Sequence, residues 1–221
     1  MSLPVPYYQD ESCTIYHGDC RELLPLLSDV GAIVSDPPYG MNWDGKVSRG
    51  NSHGPKGTKA KSYGITIAGD NEPFDPSPLI GFPYVVLFGS NHYAQRLPVG
   101  TTLIWVKRLD AGFGSFLSDA ELAWRKGGHG VYCFRDLAMQ AETRTREHPT
   151  QKPVGLMKWC IERSGAPPTS LILDPFMGSG TTLRAAKDLG RKAIGIEIEE
   201  RYCEVAAKRL AQAVLPGMEV A

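Results

Sequence analysis

Seven short apolar stretches bounded by turn residues punctuate the chain: CTIYH (13–17), AIVSD (32–36), YVVLF (84–88), TTLIWV (101–106), ELAWR (121–125), LILD (171–174) and AIGIE (193–197). They are rich in β-branched and aromatic residues and too short for helices, so they read as buried strands. Residues 20–27, 153–163, 181–189 and 199–214 instead space their apolar side chains three and four apart, and Pro153 sits where a first helical turn accepts it. Strands alternating with helices predict an open, mostly parallel α/β sheet with helices on both faces.

A length of 221 residues suits a single domain, 1–221, and 42% hydrophobic with 22% charged residues is enough to bury a sizeable core. No run approaches the ~18 apolar residues that cross a bilayer, and the opening MSLPVPYYQDESC lacks the pattern of an export signal, so no membrane is expected and the expected compartment is the cytoplasm. Cys13, Cys20, Cys133, Cys160 and Cys203 are scattered without a CxxC pair, which predicts reduced thiols. The histidines show no ligand spacing, so no metal is expected.

Net charge is zero, with 24 Lys or Arg against 24 Asp or Glu, but the distribution is uneven. Residues 1–40 carry one Arg against six acids, whereas residues 41–70 carry five Lys or Arg against two Asp. That basic excess lies in NWDGKVSRGNSHGPKGTKAKSYG (42–64), a segment longer than ordinary connections and expected to be a mobile binding loop.

Candidate chemistry begins with Asp36-Pro37-Pro38-Tyr39, directly after a predicted strand, where ligands of open α/β sheets bind. The Asp offers acceptor oxygens, and the prolines hold the chain extended and lack N–H groups, which turns their carbonyls outward. Tyr39 adds a flat π-face. Such a corner suits an exocyclic amine on a flat heterocycle, though the same tetrapeptide is also good chemistry for a turn ending a strand.

The second feature is Asp174-Pro175-Phe176-Met177-Gly178-Ser179-Gly180-Thr181-Thr182, between a strand and a helix. Its glycines allow a ligand close to the backbone at a helix start. The third glycine of a dinucleotide fingerprint is missing, which disfavours a nicotinamide oxidoreductase, and no Lys follows to make a P-loop. Glu197 ends the next strand about 20 residues on, where a carboxylate can take both hydroxyls of a ribose. Together they point to an adenosine-type cofactor without pyrophosphate.

DPPYG (36–40), HPTQKPVGLM (148–157), DPFMGSGTT (174–182) and GIEIEERY (195–202), in this order, strongly resemble the β group of amino-directed DNA methyltransferases, which use S-adenosylmethionine. The resemblance runs from HGDC (17–20) to the last helix. It implies a Rossmann-like, seven-stranded, mostly parallel methyltransferase sheet with the motif order permuted. It further implies that Asp36 and the Pro37 carbonyl accept from the target amine, with Pro38 completing the rigid corner and Tyr39 stacking on an extruded base. Phe176, Gly178 and Gly180, with Asp174, Ser179, Thr181 and Thr182 around them, would hold the methionine half of the cofactor. Glu197, with Ile198 beside it, would take the ribose, and Asp19 and Cys20 would lie near the adenine. Lys152 would pack toward the methionine end, and as a bare sequence feature it is equally a solvated lysine at a helix start.

The resemblance makes double-stranded DNA the partner, and it leaves open a homodimer and a cognate restriction endonuclease. Lys46, Arg49, Lys56, Lys59 and Lys61 of the 42–64 loop are then candidates for phosphates. Residues 107–147, with Arg125, Lys126, Arg135, Arg144 and Arg146, are the candidate target-recognition segment. Asp at the first position of DPPY favours adenine N6 in the family. Cytosine N4, an RNA substrate and a non-catalytic DNA- or cofactor-binding module are the alternatives.

Overall fold

The computed structural model describes residues 2–42, 67–108, 113–114, 118–135 and 151–212. Its strands are β1 (Tyr8–Gln9), β2 (Cys13–His17), β3 (Val30–Ser35), β4 (Tyr84–Phe88), β5 (Gly100–Val106), β6 (Ala120–Phe134), β7 (Leu171–Asp174) and β8 (Ala193–Glu197). The helices are α1 (Cys20–Leu23), α2 (Ser77–Ile80), α3 (Val154–Arg163), α4 (Thr181–Asp188) and α5 (Glu200–Ala211). All seven expected strands are present. The eighth is β1, a two-residue edge too short to leave a periodic signal.

The sheet order is β1-β2-β8-β7-β3-β4-β6-β5. From β2 to β4 all pairings are parallel, while β1 pairs antiparallel with β2, and β6 antiparallel with β4 and β5. Period-two alternation divides each central strand between two cores. Ala32, Val34, Val86 and Phe88 face one side, with Leu156, Met157 and Ile161 of α3, Leu183 of α4, and Cys203 and Leu210 of α5. Ile33, Val85 and Leu87 face the other, with Leu23, Leu79, Tyr93 and Trp124. Each fully buried side chain of this kind contributes roughly 1.5–3 kcal/mol.

Strand β6 is longer than the ELAWR stretch that announces it. Gly127 and Gly128 both take left-handed φ, 78° and 69°, and beyond them Val131–Phe134 register with Thr102–Trp105. A strand interrupted by such a glycine pair loses the alternation that would mark it. The predicted helix over 20–27 divides into α1 and a short 3-10 turn, Leu24–Leu26, whose Pro25 cannot donate to the previous turn. No helix among the described residues is long and apolar enough to cross a membrane.

Parallel pairing aligns the carboxyl ends of the strands. Ser35 registers with Leu87, Asp174 with Gly195 and His17 with Glu197, so the segments following β2, β3, β4, β7 and β8 emerge along one edge. Ligands of open α/β sheets bind outside that edge.

Candidate functional site

Asp36 is the first residue beyond β3. Its Oδ1 accepts from the Tyr39 hydroxyl at 2.5 Å, and its Oδ2 lies 2.5 Å from Lys152 Nζ. The same ammonium lies 3.0 Å from Glu121 Oε2, at the start of β6, and Lys107 donates to Glu121 Oε1 at 2.9 Å. Lys152 also sits 5.2 Å above the ring of Phe88. Carboxylates and ammonium groups therefore alternate along one half-buried line, Lys107, Glu121, Lys152 and Asp36.

Burial pushes the Asp36 carboxyl above the ordinary carboxylate range; the Lys152 ammonium pulls against that rise and the Glu121 charge adds to it. Burial disfavours the Lys152 charge, but Asp36 and Glu121 outweigh it and hold the lysine protonated. Burial would raise Glu121 too, yet Lys152 and Lys107 bring it down to about 2. Of the two readings of Lys152, that of a solvated lysine at the α3 start does not hold, because two carboxylates compensate its desolvation and its side chain is only 6% exposed.

Tyr39 lies parallel to His92, with centroids 4.9 Å apart and planes 12° apart. Gly89, at φ 70°, provides the space: a Cβ there would come within 2.0 Å of the tyrosine ring.

The DPFMGSGTT loop lies between β7 and α4 and is tied from several sides. Asp174 is buried, and its carboxylate accepts from Ser35 Oγ and Thr182 Oγ1, each at 2.5 Å, and from the Phe176 N–H at 3.1 Å. Those bonds make Asp174 a brace for the loop. Phe176 packs edge-on against Phe74. Gly180 precedes α4 with φ 76° and carries no side-chain cap. Ser179 Oγ and Thr181 Oγ1 accept from Arg209, and Gln151 Oε1 accepts from both Ser179 and Arg209. Consecutive residues Gln151 and Lys152 therefore join the glycine loop to Asp36.

Glu197 ends β8. Its Oε2 accepts the Gly178 N–H at 2.9 Å and its Oε1 the Glu199 N–H at 2.8 Å, while burial pushes its carboxyl upward against those two donors. Neighbouring Ile198 is 49% exposed. Gly18, beyond β2, donates to the Glu197 carbonyl, and Asp19 caps α1 by accepting the Arg21 N–H and pairs with the Arg21 guanidinium. Cys20 is buried beneath this corner.

The basic candidates fare differently. Arg125 donates to the Arg163 carbonyl and Lys126 to the Phe82 carbonyl. Arg125 registers with Val86, and Lys126 with Gly100, both toward the end of the sheet opposite Asp36. Arg135 donates to the Arg108 carbonyl. Lys46, Arg49, Lys56, Lys59, Lys61, Arg144 and Arg146 lie outside the described residues. Glu121, Lys107, His92, Gly89 and Arg209 escaped sequence reading. Only Glu121 left a trace, as a carboxylate at the head of the ELAWR strand.

Residues 89–208, more than half of the chain, match a family model named N6_N4_Mtase and described as DNA methylase. The chain is 27% identical over 266 aligned residues to the type II methyltransferase M2.LlaDCHI of Lactococcus lactis subsp. cremoris, covering 96% of the chain and 94% of that relative. It is 48% identical over 69 residues to the type II methyltransferase M.HinfI of Haemophilus influenzae, covering 31% of the chain and 19% of that protein. The fold resembles that of an M1.HpyAVI–SAM complex, with TM-score 0.58, 24% identity, and 89% of this chain and 99% of the other covered. It also resembles the PvuII cytosine-N4-specific DNA methyltransferase, with TM-score 0.59, 17% identity, and coverage of 94% and 89%.

Proposed function

From the premise that the chain belongs to the N6_N4_Mtase family of DNA methylases, we propose that it methylates the N6 amine of adenine in DNA. The observation that carries the reading is Asp36, held by Lys152 and Tyr39 at the carboxyl end of β3 and joined through Gln151 to the glycine loop. S-adenosylmethionine is the family's cofactor, and when bound it supplies an electrophilic methyl on a sulfonium.

The residues fit that cofactor. Each Glu197 oxygen holds one backbone N–H and keeps a lone pair for a ribose hydroxyl. Ile198 offers an exposed apolar face for an adenine ring, and Gly178, which has no side chain, donates its N–H to Glu197 at the same corner.

An aromatic amine is a poor nucleophile because its lone pair is delocalised into the ring. Asp36 and the Pro37 carbonyl would accept its two N–H groups and favour a tetrahedral nitrogen whose lone pair takes the methyl. The nitrogen would take the methyl as the sulfur–methyl bond breaks, leaving a neutral thioether, and would then give up one proton to the Asp36 carboxylate and from there to solvent. Alignment of this kind is worth up to ~7–11 kcal/mol. Extruding the base from the duplex costs a few kcal/mol, which stacking on Tyr39 offsets in part.

The test is incubation with labelled S-adenosylmethionine and unmethylated DNA, followed by nucleoside mass spectrometry. N6-methyladenine is expected in the wild type and none in Asp36→Ala. N4-methylcytosine would reassign the base and keep the chemistry. A wild type that marks RNA alone, or binds the cofactor without any transfer, would overturn the reading.

A further inference from the structure

A carboxyl accepts on both of its oxygens only when it is ionised and aimed, and neither comes free at Asp36. Its side chain is only 18% exposed, in a place where burial favours the neutral acid. A protonated carboxyl has a donor where the amine needs an acceptor.

The surroundings of Asp36 answer both needs. Tyr39 caps Oδ1 and the ammonium of Lys152 caps Oδ2, which fixes the carboxylate plane and leaves one lone pair on each oxygen. The lysine is fixed in turn: Glu121 lies at 3.0 Å, the Phe88 ring below it, and Lys107 occupies the other Glu121 oxygen. The groups facing Asp36 are thus Tyr39 from its own loop, Lys152 before α3, Glu121 from β6, and at longer range Tyr93 after β4 and Asp174 at the end of β7. Lys152 is the one cation among them.

We propose that Lys152 and Glu121 are positioning residues of the methyl transfer: Lys152 keeps Asp36 ionised and oriented as an acceptor, and Glu121 anchors Lys152. The proposal rests on the reading of Asp36 as the acceptor for the target amine. It gives Lys152 a task at the amine side of the site rather than at the cofactor.

The two residues carry opposite charges, so their removal has opposite signs. In Lys152→Met the ascending limb of the kcat–pH profile moves to higher pH by at least ~1 unit, so that at a fixed pH on that limb kcat falls about 10-fold, since one unit is a factor of ten. In Glu121→Gln, which removes a like charge and leaves the ammonium, the limb moves to lower pH. Lys152→Arg keeps the wild-type limb. Cofactor affinity, measured by calorimetry, stays at the wild-type value in all three.

Titration of the Asp36 carboxyl by 13C NMR reads the same linkage without turnover. Its midpoint rises in Lys152→Met and falls in Glu121→Gln, and an intact 1H–15N spectrum excludes misfolding as the cause. Equal shifts in the two variants, an unmoved midpoint, or a loss confined to cofactor affinity would overturn the proposal. Opposite midpoint shifts in a chain that methylates no DNA would keep the Lys152 linkage and overturn only the substrate reading.

Discussion

Tyr39 and His92 lie face to face, with centroids 4.9 Å apart and planes 12° apart, so one face of the tyrosine is already covered by an aromatic ring. The phenol reaches Asp36 and the ring fills the space left by Gly89. Three separate constraints thus set the orientation of one ring, which matches a plate that must receive a base in a fixed plane.

Gly89→Ala tests that arrangement. The left-handed backbone costs a non-glycine residue ~1–2 kcal/mol, and the new Cβ, 2.0 Å from the ring, drives Tyr39 out of place. A displacement of that size is expected to lower methyl transfer about 100-fold while cofactor affinity holds. Tyr39→Phe keeps the stack and loses only the bond to Asp36, so its loss is smaller. Steady-state kinetics of both variants check the order, and Tyr39→Phe being the more damaging of the two would contradict it.

Glu197→Gln should weaken cofactor binding rather than turnover. The amide keeps a single acceptor oxygen, so one ribose hydroxyl loses its charged partner at about 1.5–3 kcal/mol, or roughly 10–150-fold in Kd. Since burial raises the Glu197 carboxyl, cofactor affinity in the wild type declines on acidification before an ordinary glutamate would protonate. Isothermal titration calorimetry across pH reads both effects, and Glu197→Gln should flatten the acid limb.

The strands and the glycine loop were legible in the sequence because their signals are local. Short apolar runs end at Asp36, Asp174 and Glu197, and parallel pairing then places these ends on one edge. The pairing of Asp36 with Lys152, and of Lys152 with Glu121, was not legible. Glu121 and Lys152 are 31 positions apart in the chain and meet only because β6 enters the sheet antiparallel beside β4 and brings its first residues to the edge where β3 ends. Lys152 read equally as a residue of the cofactor's methionine end and as a solvated lysine, since nothing in HPTQKP reveals two carboxylates waiting for it. Arg125 and Lys126 show the converse. Their charge suggested nucleic acid, and in the fold each also donates to a backbone carbonyl, Arg125 to that of Arg163 and Lys126 to that of Phe82.

Thiol accessibility gives an independent check on the packing. Cys13, Cys20, Cys160 and Cys203 are buried and Cys133 is exposed on β6. Burial also pushes the thiols of Cys13 and Cys203 up to about 12 and that of Cys20 to about 11, which suppresses their thiolates. An aromatic disulfide reagent should therefore titrate one thiol in the native protein, abolished by Cys133→Ser, and all five after denaturation. Rapid native reaction at a second cysteine would show a core more open than the one described.

Asp174 makes stability depend on pH with a sign opposite to that of an ordinary ion-paired carboxylate. Burial pushes its carboxyl up to about 6 from 3.8, with Ser35, Thr182 and the Phe176 N–H limiting the rise. Between these values the folded state binds more protons than the unfolded chain, so stability falls as pH rises through the window and levels off above about 6. A shift of two units corresponds to about 3 kcal/mol. Asp174→Asn keeps an acceptor for Ser35 and the Phe176 N–H, lets the Thr182 hydroxyl rotate to accept from the amide, and cannot ionise. The difference in urea-unfolding free energy between the two proteins should therefore grow in favour of the variant from about pH 4 to about pH 7. A difference that is flat with pH would mean that Asp174 titrates alike in both states, and the loop would then owe its order to Gln151 and Arg209.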